Sequence, residues 1–253
     1  MEIGIAILAA IVGYLLGSIS FARLITRWFA PGTDISMIRK PITNTDIIFE
    51  SDSVSASVMR TNVGTRYGCL TAILDMLKVA LPTLAFKIWQ PETPYFLIVV
   101  VGGLVGHDWP LYHHFKGGRG ESPIVGGVLV IDWLGLVIPN LAGILIGWLA
   151  GDILVLRWSW LILLIPWFWL RTHDPVYILF AVTCNLIYWG KTFPELKQFY
   201  QILRVLRKGT KRTQEQVAID MAMGRRLGRF MDQYGAPRLV SRLLQGRKAN
   251  PGA

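Results

Sequence analysis

The run Ile3–Ala22 reads IGIAILAAIVGYLLGSISFA and contains no charged residue. About 20 consecutive apolar residues are what a helix needs to cross the hydrocarbon core of a bilayer. Three further stretches are also free of charge: Trp133–Gly151, Trp158–Leu170 and Pro175–Gly190. Hydrophobic residues make up 53% of the 253 positions, and the mean hydropathy is +0.44. Ordinary water-soluble domains are less apolar than this. The pattern predicts an all-α fold, a polytopic bundle of transmembrane helices. Ile3–Ala22 is expected to stay in the protein rather than be removed as a signal, because Glu2 stands where a basic flank belongs and the apolar run is long.

Working outward, spans are expected at about residues 3–25, 67–88, 94–112, 133–151, 153–170 and 175–190. A polar loop, about residues 28–66, separates the first two. Lys and Arg of short loops stay on the cytoplasmic side. Arg27, Arg39, Lys40, Arg60 and Arg66 therefore put that loop inside and the N-terminus outside. Lys116 and Arg119 put the loop after the third span inside as well. From Lys191 onward, 14 Lys and Arg stand against 4 Asp and Glu, which accounts for the whole net charge of +10. The tail is read as cytoplasmic and attracted to anionic lipid, with no nucleic-acid partner. The crossings must then be odd in number. Seven is reached when Ser122–Ile131 counts as one, with Arg171 falling outside against the rule. Residues 1–200 are expected to form the membrane domain of a multi-pass cell-membrane protein, and 201–253 a basic tail. In that tail Ile219, Met223, Leu227, Phe230 and Met231 recur at helical spacing, which fits a helix lying on the membrane surface and equally a loose tail.

The chemistry-bearing residues are few. Asp75 and Lys78 lie three apart on one helix face within a span. Charges there are costly and mark function by default, although a self-neutralised pair that positions helices is the plainer account. The stretch Gly106–Gly120 ends in Lys116, Gly117, Gly118, Arg119 and Gly120. Glycines let several backbone N–H groups converge, and two cations add charge, which is what a phosphate needs. A basic juxtamembrane turn would carry the same residues. His107, His113 and His114 read as hydrogen-bonded interfacial histidines before they read as ligands or bases. Ser51, Ser53, Ser55, Ser57 and Arg60 sit in the first loop. Cys69 and Cys184 have no disulfide or metal spacing and are expected to be buried thiols. There is no Gly-x-Ser-x-Gly nucleophile elbow, and no His is followed five positions later by Asp.

These residues carry a resemblance to the bacterial acyl-phosphate:glycerol-3-phosphate acyltransferase family of integral membrane enzymes. Tyr14 to Ala22 looks like the family's Y-L-L-G-S-I-P-F-G, and Asp75-Met76-Leu77-Lys78 looks like its D-x-x-K-G. Gly106-His107 through Pro110 to Phe115-Lys116-Gly117-Gly118-Arg119-Gly120 is similar to G-H-x-x-P-x-F-x-x-F-K-G-G-K-G, the longest of the matches. Ser51 through Arg60 corresponds to S-G-N-x-G-A-T-N-x-x-R, with Ser53 and Val58 replacing asparagines and the arginine displaced by one residue. Asn185 and Glu195 resemble the family's C-terminal Asn and Glu. Arg119 replaces a lysine, Val79 a glycine, and Glu121-Ser122 replaces Val-Ala.

The resemblance implies transfer of an acyl group from a long-chain acyl phosphate to the 1-hydroxyl of glycerol 3-phosphate, giving lysophosphatidate. An acyl phosphate is already activated, so the task is proximity and charge stabilisation. Ser51, Arg60, Lys78 and His107 are the implied catalytic residues. Asp75, Lys116, Gly117, Gly118, Arg119, Gly120, Asn185 and Glu195 are the implied substrate-binding ones. No metal, soluble cofactor or acyl-carrier partner is implied. A transporter of a phosphorylated solute and a non-catalytic membrane scaffold are the competing readings.

Overall fold

The computed structural model describes residues 1–41, 48–206, 213, 215–217 and 225–241. The first apolar run forms two helices, α1 (Ile3–Gly17) and α2 (Phe21–Phe29), rather than one. Ser18 supplies the reason. Its hydroxyl donates to Tyr14 O at 2.8 Å and accepts from Leu111 N at 3.2 Å. The break frees the carbonyl of Ile19, which takes a hydrogen bond from Lys78 Nζ at 2.7 Å. An interrupted membrane helix is tolerated where side chains satisfy the freed backbone groups.

The polar stretch read as a loop is largely ordered structure. A two-stranded antiparallel ribbon pairs β1 (Ile38–Pro41) with β2 (Ile48–Ser51), Ile38 opposite Ser51. A short helix, α3 (Ala56–Asn62), follows. Phe49 and Ser51 face inward while Ile48 and Glu50 face out, the alternation of a half-buried strand. Ile25, Ile38, Val54, Val58 and Met59 form a small apolar cluster that seats this region against the bundle.

Further helices among the described residues are α4 (Thr65–Trp89), α5 (Tyr95–Asp108), α6 (Glu121–Ile131), α7 (Trp133–Ala150), α8 (Ile153–Thr172), α9 (Pro175–Leu206) and α10 (Arg225–Tyr234). Six stretches among the described residues are long and apolar enough to cross a membrane: Ile3–Phe29, Thr65–Trp89, Tyr95–His113, Trp133–Ala150, Ile153–Thr172 and Pro175–Gln198. The chain is an integral, multi-pass membrane protein built as a helical bundle. Leu81, Ile88, Leu141, Leu179 and Leu186 are exposed on it, as lipid-facing residues should be. Inside, Val100, Leu104, Ile124, Val128, Leu164 and Phe168 make the core.

Small residues bring α1 and α5 into backbone contact. A side chain at Gly13 would strike Val99 O, and one at Gly106 would strike Tyr14 O. Close approach through glycine is how membrane helices gain packing energy without a hydrophobic driving force between them. α6 has only 11 residues, or about 16 Å. Its C-terminal carbonyls at Val130 and Ile131 accept from Lys87 Nζ at 2.7 and 3.0 Å, a cation capping the negative end of the helix. α9 continues beyond the expected limit at residue 190, through Pro194 to Leu206. α10 docks on the α7–α8 turn, where Trp148 Nε1 donates to Tyr234 O at 2.7 Å. Of the apolar residues expected on one face of the tail, Leu227, Phe230 and Met231 lie in α10 and Met231 is buried. Ile219 and Met223 lie outside the described residues.

Candidate active site

The last turn of α5 delivers His107 and Asp108, and the chain then folds back on that turn. His114 and Phe115 both adopt left-handed conformations, with φ of 52° and 59°, which is uncommon for residues other than glycine. Gly118 N donates to His107 O at 3.0 Å, and Val54 N donates to Gly117 O at 3.0 Å. The glycine loop is thus pinned to α5 on one side and to the segment before α3 on the other. Gly118 is required by its neighbour, since a Cβ there would enter the His107 imidazole. Gly120, at φ +77°, turns the chain into α6.

Two clusters form around this loop. In the first, Lys78 Nζ meets Asp75 Oδ1 at 2.7 Å, with both side chains buried. His107 Nδ1 lies 2.9 Å from the same ammonium and 3.8 Å from Asp75 Oδ1. An ammonium only donates, so Nδ1 accepts and the ring proton is assigned to Nε2. Lys78 also holds Ile19 O, so its ammonium is hydrogen-bonded to His107 and the α1–α2 break and ion-paired with Asp75. Lys78 and Asp75 line a small recess with Ser18 and Gly117.

In the second cluster, Glu195 is clamped from two sides. Ser51 Oγ donates to its Oε1 at 2.6 Å, and Arg119 Nη1 donates to its Oε2 at 2.6 Å. Next to it opens a cavity of about 250 Å³. Arg60, Arg119 and Arg157 reach it from α3, the glycine loop and α8. Glu121, Ser122 and Gly120 line it from the N-terminus of α6, and His107, Ser55, Ser57 and a face of α4 that includes Cys69 also line it. Arg157 Nη2 pairs with Glu121 Oε2 at 2.7 Å. Burial first, and then the like charge of Arg157, push Arg60 below the usual arginine range, with Arg119 acting in the same direction. A helix N-terminus and several guanidinium groups facing one space make an anion site.

The structure brings together Ser51, Arg60, His107, Gly117, Gly118, Arg119, Gly120 and Glu195, and sets Asp75 and Lys78 just beneath them. Two expected residues are placed apart. Lys116 is exposed, and its carbonyl, not its ammonium, is used, accepting from Arg23 Nη2 at 2.8 Å. Asn185 donates to Leu161 O at 2.8 Å and Ala181 O at 2.9 Å and accepts from Trp189 Nε1 at 3.2 Å, which ties α9 to α8 away from the cavity. Cys184 is buried as expected, but Cys69 is exposed on the cavity wall. Sequence reasoning missed Arg157, although it is the sole charged residue between Asp152 and Arg171 and a charge in a span is a signal in itself. It also missed Asp108, a fully buried carboxyl whose oxygens have no hydrogen-bond partner among the described residues.

Fold and site together define an integral membrane helical bundle with a cationic, glycine-lined cavity at one end of its helices. The family model described as glycerol-3-phosphate acyltransferase matches residues 7–198. The chain belongs to that family. Glycerol-3-phosphate acyltransferase of Mycoplasma mycoides subsp. mycoides SC is 31% identical over 141 residues, covering 52% of this chain and 49% of the relative. Glycerol-3-phosphate acyltransferase 2 of Thermotoga maritima is 28% identical over 123 residues, covering 49% and 57%. The chain thus spans about half the length of the curated relatives it matches. The crystal structure of PlsY (YgiH), an integral membrane glycerol 3-phosphate acyltransferase, in its glycerol 3-phosphate form, superposes with a TM-score of 0.63 at 22% identity. That match covers 78% of this chain and 92% of that one. The lysophosphatidic acid form gives 0.60 at 20% identity with the same coverage. The likeness shows a common fold.

Proposed function

We propose that the chain transfers a fatty acyl group from a long-chain acyl phosphate to the 1-hydroxyl of sn-glycerol 3-phosphate, forming lysophosphatidate and phosphate. The observation that carries this reading is the convergence of Arg60 and Arg119 with the N-terminus of α6 on one cavity, in a chain whose family is named for that acceptor. Structures of a relative with this fold are described as glycerol 3-phosphate and lysophosphatidic acid forms.

The hydroxyl oxygen attacks the acyl carbonyl carbon, the bond from that carbon to the phosphate oxygen breaks, and phosphate leaves. The guanidinium groups neutralise the two phosphates and hold the reactants together, which supplies proximity and charge stabilisation. Ser51 and Glu195 orient Arg119 and the acceptor. Asp75 and Lys78 fix His107, which backs the glycine loop. With Nδ1 engaged by Lys78 and the proton on Nε2, the ring has no lone pair to spare, so the departing phosphate takes the hydroxyl proton.

In this reading the N-terminus lies outside and the cavity and tail face the cytoplasm. α6 counts as a pass, the fourth of seven, running from the cavity to the end of α4 where Lys87 caps it. Residues 1–200 are the membrane domain and 201–253 the basic tail. The test is acyl transfer by purified protein in detergent, offering glycerol 3-phosphate with palmitoyl phosphate and then with palmitoyl-CoA. Lysophosphatidate from the acyl phosphate alone, lost in Arg119→Ala, is the expected result. No product from either donor by folded protein would overturn the reading in favour of a non-catalytic relative.

A further inference from the structure

The proposed mechanism rests on Arg60 and Arg119 and gives the α8 arginine, Arg157, no part in the reaction. We propose that Arg157 is a third phosphate-binding guanidinium of the cavity and that Glu121 is its resting counter-ion, released when a phosphate group enters. The inference rests on the acyltransferase reading for the substrate, but not for the existence of the anion site.

Arg157 reaches the cavity from a helix that contributes no other side chain to it. The partnership with Glu121 is close, at 2.7 Å, yet neither side chain is sealed. Arg157 keeps 29% and Glu121 35% of its side-chain surface exposed. The buried pair of Lys78 and Asp75, at 3% each, is locked by comparison. Arg157 is also close enough to act on Arg60 as a like charge, ahead of Arg119. Three guanidinium groups therefore share one space with a single lining carboxylate, Glu121, while Arg119 is also held by Glu195.

Glu121 begins α6, where the helix N-terminus favours an anion. Its carboxylate holds the place of one. A phosphate dianion carries more charge and more acceptor oxygens than a carboxylate and is met in two parallel bonds by the planar guanidinium fork. Exchange of carboxylate for phosphate on Arg157 keeps the arginine satisfied in both states, and the half-exposed Glu121 turns to water.

A purely structural pair, tying α6 to α8, makes a different prediction. Loss of either partner would then harm the protein alike. The experiment measures the affinity of inorganic phosphate and of glycerol 3-phosphate for the purified protein in detergent, with melting temperature as the fold control. The variants are Arg157→Gln, Arg157→Lys and Glu121→Gln. Arg157→Gln should weaken phosphate binding by about ten- to a hundredfold, the scale of a lost charge-assisted pair. The KM for glycerol 3-phosphate should rise in step and kcat should change less. Arg157→Lys should recover part of the loss. Glu121→Gln should bind phosphate as tightly as the parent or more tightly, even where its melting temperature falls as far as that of Arg157→Gln. Equal weakening in both Gln variants, or unchanged affinity in Arg157→Gln, would overturn the proposal. Phosphate binding by the parent that depends on Arg157 but yields no acyl transfer would leave it standing while removing the acyltransferase reading. Failure of the parent to bind phosphate would remove both.

Discussion

At the scale of single residues, the site is defined by which charges are spent and which are available. Lys78 and Asp75 are spent. Lys78→Met would leave a buried carboxylate without its partner, a cost of about 3–5 kcal/mol. The expected outcome is a clear fall in melting temperature that Asp75→Asn, added to it, partly reverses; the double-mutant cycle in detergent is the measurement. Gly118→Ala drives a methyl group into the His107 ring. Overpacking of this kind costs about 1–3 kcal/mol, and it moves the loop that carries Arg119. Acyl transfer should fall much further than stability does, which assaying both on one preparation would reveal. The first pair was legible in the sequence because three-residue spacing on a helix fixes proximity without any knowledge of the fold. The contact of Ser51 with Glu195 is of another kind. Its partners are 144 residues apart, and no local rule places a β-ribbon serine beside the ninth helix.

At the scale of elements, apolar runs predicted the spans well because a membrane helix must satisfy its backbone internally. What they could not show is where a run breaks. Ser18, Ile19 and Ser20 are as uncharged as their neighbours, and α1 and α2 part there because Ser18 and Lys78 take over the backbone hydrogen bonds. The ribbon of β1 and β2 is hidden in the sequence for a similar reason: four-residue strands alternate too briefly to be told from polar connection. The glycine loop was legible because its residues are contiguous, whereas Arg157 and Glu121 meet only when the fold brings the start of α6 within side-chain reach of α8. The C-terminal element carries its own prediction. α10 is held to the α7–α8 turn by the bond from Trp148 to Tyr234 O, with Pro237 packed on Gly151. Trp148→Phe keeps an aromatic ring and removes the Nε1–H donor, at a cost of about 1 kcal/mol. Limited proteolysis should then cut within residues 225–241 several times faster while acyl transfer holds.

At the scale of the whole molecule, the topology proposed above, with the N-terminus outside, puts most of the cations on the cytoplasmic side, with Lys87 and Arg171 on the other. That arrangement predicts the labelling pattern of single cysteines added to a form lacking Cys69 and Cys184. Cysteines at Gly4 and Asp174 should react with an impermeant reagent from the outside, and cysteines at Lys116 and Thr213 only after the membrane is opened. Reaction of Asp174 and Lys116 from the same side would remove α6 as a crossing. The clamp on Glu195 has a further consequence, for biogenesis. Helices enter the bilayer in the order of synthesis, so Ser51 and Arg119 emerge long before the carboxylate that joins them. Until the last hydrophobic helix leaves the translocon, the half-built bundle presents a guanidinium group and an unfinished ribbon at the membrane surface. Arrival of Glu195 supplies the partner of both Ser51 and Arg119 in one step, so this corner of the cavity is among the last parts of the bundle to close.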